Sequence, residues 1–485
     1  MSVPYATLPS VSDRPAPHAP APPAFSAADL VRITGGRLLR PSDRPIAGGA
    51  VDSRLVEPGN LFVALPGERA DGHDFIAAAA AAGAAALVVA RPIAPGALAA
   101  LGDVAVIRVA DPLAALAALG AAWRNRFEPL VVGVTGSVGK TTTKEAIAAV
   151  LSTRRRTLRN DGNLNNEIGL PLTLLRLRPE HEAAVLEMGM YAGGEIADLA
   201  RLARPRIGVV TCVQPVHLSR LGSLDAIEAA KGELVEALPD GRSGGVAVLN
   251  ADDERVARMA SRTRARVVTY GFGGDAAVGA EDVVAAGRAG MRFVLRAGRE
   301  RIAVTTRALG RHSVHNALAA AAVGLEAGLT LAEVAAGLVP GWSAPRRTEI
   351  REVGGVTIVD DTYNASPAST IAALELLGTL PGRHVAVLGE MLELGSEHAA
   401  GHRAVGRVAG ERADLLVVVG AGANGIALAA RARGLAKERI LRVPDGEAAF
   451  ELLRPRLAPG DTVLVKASRS IGLDRLVDRL AEELA

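Results

Sequence analysis

Short apolar runs, each closed by glycine or a polar residue and followed by helical spacing, recur along the chain from about residue 25 onward. The run LVVGV at 130–134 reads as a buried strand; Gly136 and Gly139 mark a tight turn, and helical spacing begins at Thr141. AAVLEMG (183–189) and RIGVVTCV (206–213) read as two more buried strands, one ending at Glu187 and the other just short of His217. Upstream, residues 75–90 are continuously apolar, but Gly83 splits them into an alanine-rich helix and a Leu-Val-Val strand, and the stretch is shorter than a membrane span. Asp111-Pro112 starts a helix carrying Leu113, Leu116 and Trp123. Further helices are expected over 168–177 and 223–237, and from the segment 310–316 to Gly328. From about 345 the alternation is regular: VTIVDD, HVAVLG, DLLVVVG, RILRV and TVLVKAS, separated by helical segments, predict a doubly wound parallel sheet.

The pattern predicts an α/β chain of three domains: a small N-terminal α/β domain (25–128), a central domain with a mostly parallel sheet (129–344) and a C-terminal Rossmann-like doubly wound domain (345–485). Residues 1–24 are rich in proline and alanine, lack the compact apolar core of a signal peptide, and are expected to form a disordered tail. Composition narrows the picture. The 485 residues are 49% hydrophobic, ample for several buried cores. A single cysteine, Cys212, excludes an internal disulfide framework and fits a cytoplasmic protein. Net charge is only +3 with no basic block, which speaks against a nucleic-acid partner. Of 55 basic residues only five are lysines, at 140, 144, 231, 437 and 466. Where arginine has been used nearly everywhere else, a retained lysine points to chemistry that a delocalised guanidinium cannot perform.

Strand, glycine loop, Gly-Lys-Thr and helix coincide at 130–143, the context of a phosphate-binding loop (P-loop), although Val134 stands where the strict pattern has glycine. Backbone N–H groups there can wrap phosphate oxygens, Lys140 adds mobile charge, and the Thr141 hydroxyl can ligand Mg2+. Glu187, at a strand end facing such a loop, can hold the same ion, or be a solvated edge carboxylate; His217 alone reads as structural. Lys231 sits mid-helix among alanines, where lysine is usually solvated; a desolvated amine could instead act as a base or take up carbon dioxide as a carbamate, becoming an oxygen ligand. The asparagines of 160–167 can cap a helix or recognise a polar substrate. The polar clusters at 52–54 and 67–73 read as turns. Finally, GAGANG at 420–425, with Asp445 downstream, matches the dinucleotide fingerprint, a weak signal alone because close strand–helix packing selects the same glycines.

Together these stretches resemble the Mur ligases: DSR (52–54), GERADGHDF (67–75), GVTGSVGKTTTKE (133–145), NLNNEIGLP (163–171), LEMGM (186–190), AKGEL (230–234), DDTYNASP (360–367) and KASR (466–469). No Asp-Asn-Pro-Arg signature of the sister enzyme that adds the third peptide residue is found, which favours the dipeptide-adding member. The resemblance implies a cytoplasmic, monomeric ligase that uses ATP and Mg2+ to join D-alanyl-D-alanine to UDP-N-acetylmuramoyl-tripeptide through an acyl phosphate. It implies that Asp52, Ser53, Arg54, Arg69, Asp71, Gly72 and His73 face the uridine nucleotide and that Asn165 and Asn166 contact the muramoyl peptide. Thr135, Gly136, Ser137, Val138, Gly139, Lys140, Thr141 and Thr142, with His312, Asn316, Arg347, Asp361, Tyr363 and Asn364, would hold ATP. Thr141, Glu187, His217 and carbamylated Lys231 would serve metal sites, and Lys140, Lys231, His217, Glu187 and Arg347 would carry the chemistry. The chain departs from the family's pattern at Ser313, Ser366 and Glu390.

Overall fold

The structure, a computed structural model, describes residues 23–484 apart from 68, 69 and 217; residues 1–22 of the expected tail lie outside the described residues. Three sheets organise the chain. The first runs Arg37–Arg40, Ala105–Arg108, Ala86–Val89, Leu61–Val63, Gly49–Ala50, parallel except at its first strand. The helix Pro112–Arg124 leaves that domain and packs on the next. Asp111 caps its first turn, and Trp123 Nε1 donates to Leu177 O at 3.0 Å while Arg124 Nε donates to Ala203 O at 2.9 Å. One continuous apolar core therefore joins the first two domains, including Leu116, Leu119, Leu170 and Leu199.

The central sheet has nine strands. Its parallel part centres on Leu130–Thr135, flanked by Ala183–Glu187 and Ile207–Val210, all deeply buried, as near-continuous Val, Leu and Ile runs demand when helices cover both faces. Residues 278–306 differ from the expected strand–helix alternation. Val278–Ala285, Met291–Ala297 and Glu300–Thr306 form an antiparallel meander. The alternating burial of the second and third strands, the exposed second half of the first and the short glycine turns suit hairpins, which need no covering helix on the outer face. Behind the sheet the helix Arg311–Glu326 packs on Lys140–Leu151; its buried alanines 317 and 319–322 allow close approach.

The third sheet, in order Glu349–Val353, Val356–Asp360, Thr462–Lys466, His384–Gly389, Leu415–Val419, Ile440–Val443, is the expected parallel sheet with one antiparallel edge strand added. Among the described residues no helix is long and apolar enough to cross a membrane.

Candidate active site

The strand Leu130–Thr135 passes to the helix Lys140–Leu151 through residues 136–139. Gly136 (φ 144°) and Gly139 (φ 85°) adopt backbone that side chains disfavour, and a Cβ at Gly136 would collide with the Thr211 hydroxyl. The loop is fastened to the neighbouring strand end. Ser137 N–H donates to Cys212 O at 2.8 Å, Thr211 Oγ1 to Val138 O at 2.6 Å and Ser137 Oγ to Gln214 O at 3.0 Å. Thr135 Oγ1 donates to Met188 O at 2.9 Å, Thr142 Oγ1 to Gly139 O at 3.1 Å, and Thr143 Oγ1 to Asn316 Oδ1 at 3.0 Å, so Asn316 lies against the loop. Lys140 bends back, Nζ donating to the carbonyls of Gly136 (2.8 Å) and Ser137 (3.3 Å), and Thr141 is buried beside it.

Glu187 ends its strand opposite this loop and is only 2% exposed. Its Oε1 accepts from Asn165 Nδ2 at 2.7 Å; Oε2 has no hydrogen-bond partner among the described residues. Asn160, fully buried, fixes the backbone: Glu187 N–H donates to its Oδ1 at 2.9 Å, and its Nδ2 donates to Glu187 O at 3.2 Å. Lys231, on the helix Leu224–Glu236, is 2% exposed. Burial pushes its pKa well below a lysine's ordinary value, and the charge of Lys140 pushes it further. Lys140 is itself lowered by burial, with the Glu187 carboxylate opposing and Arg347 reinforcing. From Lys140 and Lys231 a cavity of about 400 Å³ extends past Asn165 and Tyr191 to the start of the helix Pro112–Arg124.

The third domain supplies Arg347, Asp361, Tyr363 and Asn364, and the central domain His312. The Arg347 guanidinium lies 4.0 Å from the Tyr363 ring centroid. Asp361 is committed inward: Oδ2 accepts from Lys466 Nζ at 2.6 Å and Oδ1 from Thr348 N–H at 3.2 Å, while Asn364 O accepts from Lys466 Nζ at 2.8 Å. His312 Nδ1 is buried without a partner among the described residues; burial lowers the ring's pKa, the Asp361 charge opposing. In the first domain Asp52 pairs with Arg54 at 2.6 Å and caps the turn Ser53–Leu55. Arg54 holds Asp52 at about 2. His73 Nδ1 donates to Asp71 at 2.6 Å while Nε2 accepts from Ala90 N–H at 2.8 Å, which puts the proton on Nδ1, and Gly72 is pressed on Leu65. None of these first-domain residues lines the cavity. Arg69 and His217 lie outside the described residues.

The three domains match three family models in order: Mur ligase family, catalytic domain (45–124), Mur ligase middle domain (134–324) and Mur ligase, glutamate ligase domain (346–469). The chain belongs to the Mur ligase family. It is 40% identical to a UDP-N-acetylmuramoyl-tripeptide--D-alanyl-D-alanine ligase of Mycobacterium tuberculosis, over 95% of this chain and 98% of that one. Among solved structures, MurF from Acinetobacter baumannii superposes with a TM-score of 0.83 at 30% identity, covering 95% of this chain and 99% of that one. MurF from Thermotoga maritima in complex with ADP does so with 0.77 at 30% identity, covering 90% and 98%.

For a Mur ligase the dinucleotide-like GAGANG is a packing device. A Cβ at Gly422 would collide with the Glu390 carboxylate, and Asp445 is used as a helix cap, accepting from Ala448 N–H at 2.9 Å. Two departures from the family pattern have local explanations. Ser366 caps the helix Pro367–Leu377, and Ser313 Oγ donates to Gly310 O at 2.8 Å. Asn166 is likewise a cap at this end, its Oδ1 accepting from Gly169 N–H at 2.9 Å, though it also lines the cavity. Sequence reasoning singled out Asn160 and Lys144 without assigning either to the site, and gave Arg346 no role. Lys144 was signalled by the scarcity of lysine: it is fully buried and donates to Asn160 O.

The residues present fit a divalent cation of the magnesium type. An orphaned buried carboxylate oxygen and a threonine hydroxyl are hard donors, and no cluster of three acidic, histidine or cysteine ligands exists among the described residues. One or two protein oxygens completed by phosphate and water is how Mg2+ is usually held.

Proposed function

We infer that the protein is an ATP-dependent amide ligase that joins D-alanyl-D-alanine to UDP-N-acetylmuramoyl-tripeptide in peptidoglycan precursor synthesis, releasing ADP and phosphate. The observation that carries this reading is a cavity lined by Lys140, the buried amine of Lys231 and Asn165, whose amide holds the Glu187 carboxylate behind it. A carboxylate is a poor electrophile; transfer of the γ-phosphoryl group of ATP to it makes an acyl phosphate, which the dipeptide's amine attacks. Residues 135–142 would cradle the phosphates, with Lys140 leaving the loop carbonyls to meet them. Thr141 and Glu187 would hold Mg2+, which supplies charge neutralisation on the phosphates, and His217 is proposed beside them. Burial and the Lys140 charge disfavour the ammonium form of Lys231 and so favour the amine that takes up carbon dioxide, and its carbamate would add an oxygen donor.

His312, Asn316, Arg347 and Tyr363 would flank the nucleotide; Asp361 and Asn364 support them from behind. Asn165 would orient both Glu187 and the acceptor peptide, while the turns carrying Asp52, Ser53, Arg54, Arg69, Asp71, Gly72 and His73 would receive the uridine nucleotide. The protein's three domains span 25–128, 129–344 and 345–485, and it acts as a monomer in the cytoplasm. Release of ADP and phosphate should require tripeptide nucleotide and dipeptide together. Substantial turnover without the dipeptide would count against the assignment.

A further inference from the structure

The geometry points to Arg346 as a positioning residue that aims Arg347 at the nucleotide, an inference that rests on the role of Arg347 proposed above. Arg346 (φ 58°) and Thr348 (φ 55°) both occupy the left-handed region without being glycine, one on each side of Arg347. Two such residues within three persist only where the surroundings over-determine them. Here two consecutive aspartates do so. The Arg346 guanidinium meets Asp360 at 3.3 Å and Asp478 at 2.8 Å, and Thr348 N–H donates to Asp361 Oδ1 at 3.2 Å.

Both aspartates are themselves immobilised. Asp360, fully buried at the end of the strand Val356–Asp360, accepts from Thr362 Oγ1 at 2.6 Å, and Asp361 accepts from Lys466 at 2.6 Å. Between the anchors the backbone is pinned again, Arg347 N–H donating to Ala344 O at 3.1 Å and Tyr363 N–H to Arg346 O at 3.0 Å. The Tyr363 ring then carries the Arg347 guanidinium.

Charge balance alone does not explain Arg346. Arg351 already pairs with Asp360 at 3.3 Å and with Asp478 at 3.0 Å, so neither carboxylate depends on a single cation. Nor does backbone economy explain it, since glycine takes φ 58° without strain. What the arginine adds is a fixed anchor immediately before the residue whose charge reaches Lys140.

The test uses the full chain with Arg346→Gly, Arg347→Ala and the double variant, measuring kcat, KM for ATP, KM for the dipeptide and Tm. Arg346→Gly should leave the dipeptide KM unchanged, and should lower Tm only modestly because Arg351 still pairs with Asp360 and Asp478. Its kcat/KM for ATP should fall about 10- to 100-fold, the scale of a misplaced catalytic group. The double variant should be no worse than Arg347→Ala, because the first residue acts through the second. Asp478→Asn, which removes one anchor from outside the segment, should reproduce part of the loss and serves if Arg346→Gly folds poorly. A crippled Arg347→Ala beside a parental Arg346→Gly and a parental Asp478→Asn overturns this proposal alone, as do losses that multiply in the double variant. Parental kinetics in Arg347→Ala remove the role of Arg347 and the proposal with it.

Discussion

Replacing Glu187 by glutamine separates a ligand oxygen from a structural one. Two terms oppose each other in the protein without nucleotide. An unpartnered buried oxygen such as Oε2 costs about 1–3 kcal/mol, and the attraction of the carboxylate for Lys140 returns a similar amount. Glutamine keeps an oxygen for the Asn165 amide, so the variant should stay within about 1 kcal/mol of the parent, or about 2–4 °C in Tm for a domain of this size. With ADP and Mg2+ at about 100 times Kd, binding stabilises the parent by about 2.7 kcal/mol. Loss of one charged contact worth about 1.5–3 kcal/mol weakens binding enough that only about 0.3–1.3 kcal/mol of that stabilisation remains.

The assay is thermal unfolding of parent and Glu187→Gln with ADP and MgCl2, and with ADP and a chelator. A parental shift of about 5–11 °C should shrink to about 1–5 °C in the variant, and the ADP-induced shifts of the two proteins should be equal in chelator. An undiminished magnesium-dependent shift in Glu187→Gln would refute the assignment of the orphaned oxygen to a cation, whatever happens to turnover.

Other residues make separate predictions. Because folding holds Lys231 below its ordinary pKa of 10.5, the unfolded chain binds more protons there, so native stability rises with pH from the folded pKa up to 10.5. Lys231→Met should flatten that rise and increase Tm at pH 7 in buffer free of carbon dioxide, while abolishing turnover; an unchanged pH slope would show that the amine is not desolvated. Lys231→Arg should remain inactive, since guanidinium forms no carbamate, and an active arginine variant would remove that role. Lys140→Ala should lower kcat and weaken ATP binding in a calorimetric titration, and parental binding would contradict the phosphate-loop reading. For Gly136→Ala the new Cβ meets the Thr211 hydroxyl in a backbone region costly for alanine; ATP affinity should fall sharply, and a crystal structure with an unmoved loop would disprove the steric argument.

The parts of the fold that were legible are those where local pattern and tertiary role coincide. Apolar runs such as 130–134, broken only by Gly133, and 415–419 announce strands buried on both faces, and Asp111-Pro112 announces a capped helix. The meander at 278–306 was not legible because its alternating strands expose one face and are joined by turns too short to register as breaks in an α/β rhythm. In the site, the phosphate loop and Glu187 stood out because strand ends and glycine turns fix where such side chains go. Asp361 shows the limit. Its motif marks it as a site residue, yet the structure turns both oxygens inward, to Lys466 and to Thr348 N–H. Motif membership says that a residue matters to a site, while only geometry says whether it touches the ligand or holds what does.

The scarce lysines make the same distinction within one residue type. Lys144, Lys231 and Lys466 are buried, Lys140 is half-buried in the loop, and Lys437 belongs to a surface turn. Scarcity thus picked out four lysines buried or half-buried in the folded chain, but the expected reason, chemistry beyond guanidinium, is proposed only for Lys140 and Lys231. Lys144 donates to Asn160 O, and Lys466 to Asn364 O and the Asp361 carboxylate. Each buried ammonium meets both a backbone carbonyl and a carboxylate, Lys144 that of Glu145 at 3.0 Å and Lys466 that of Asp361 at 2.6 Å, contacts that suit a compact point charge on a thin stem. Asn160 in turn fixes Glu187, and Asp361 fixes Thr348 beside Arg347. The two structural lysines therefore stand behind Asn160 and Asp361, the side chains that fix Glu187 and the backbone next to Arg347, the groups proposed to act on the phosphates.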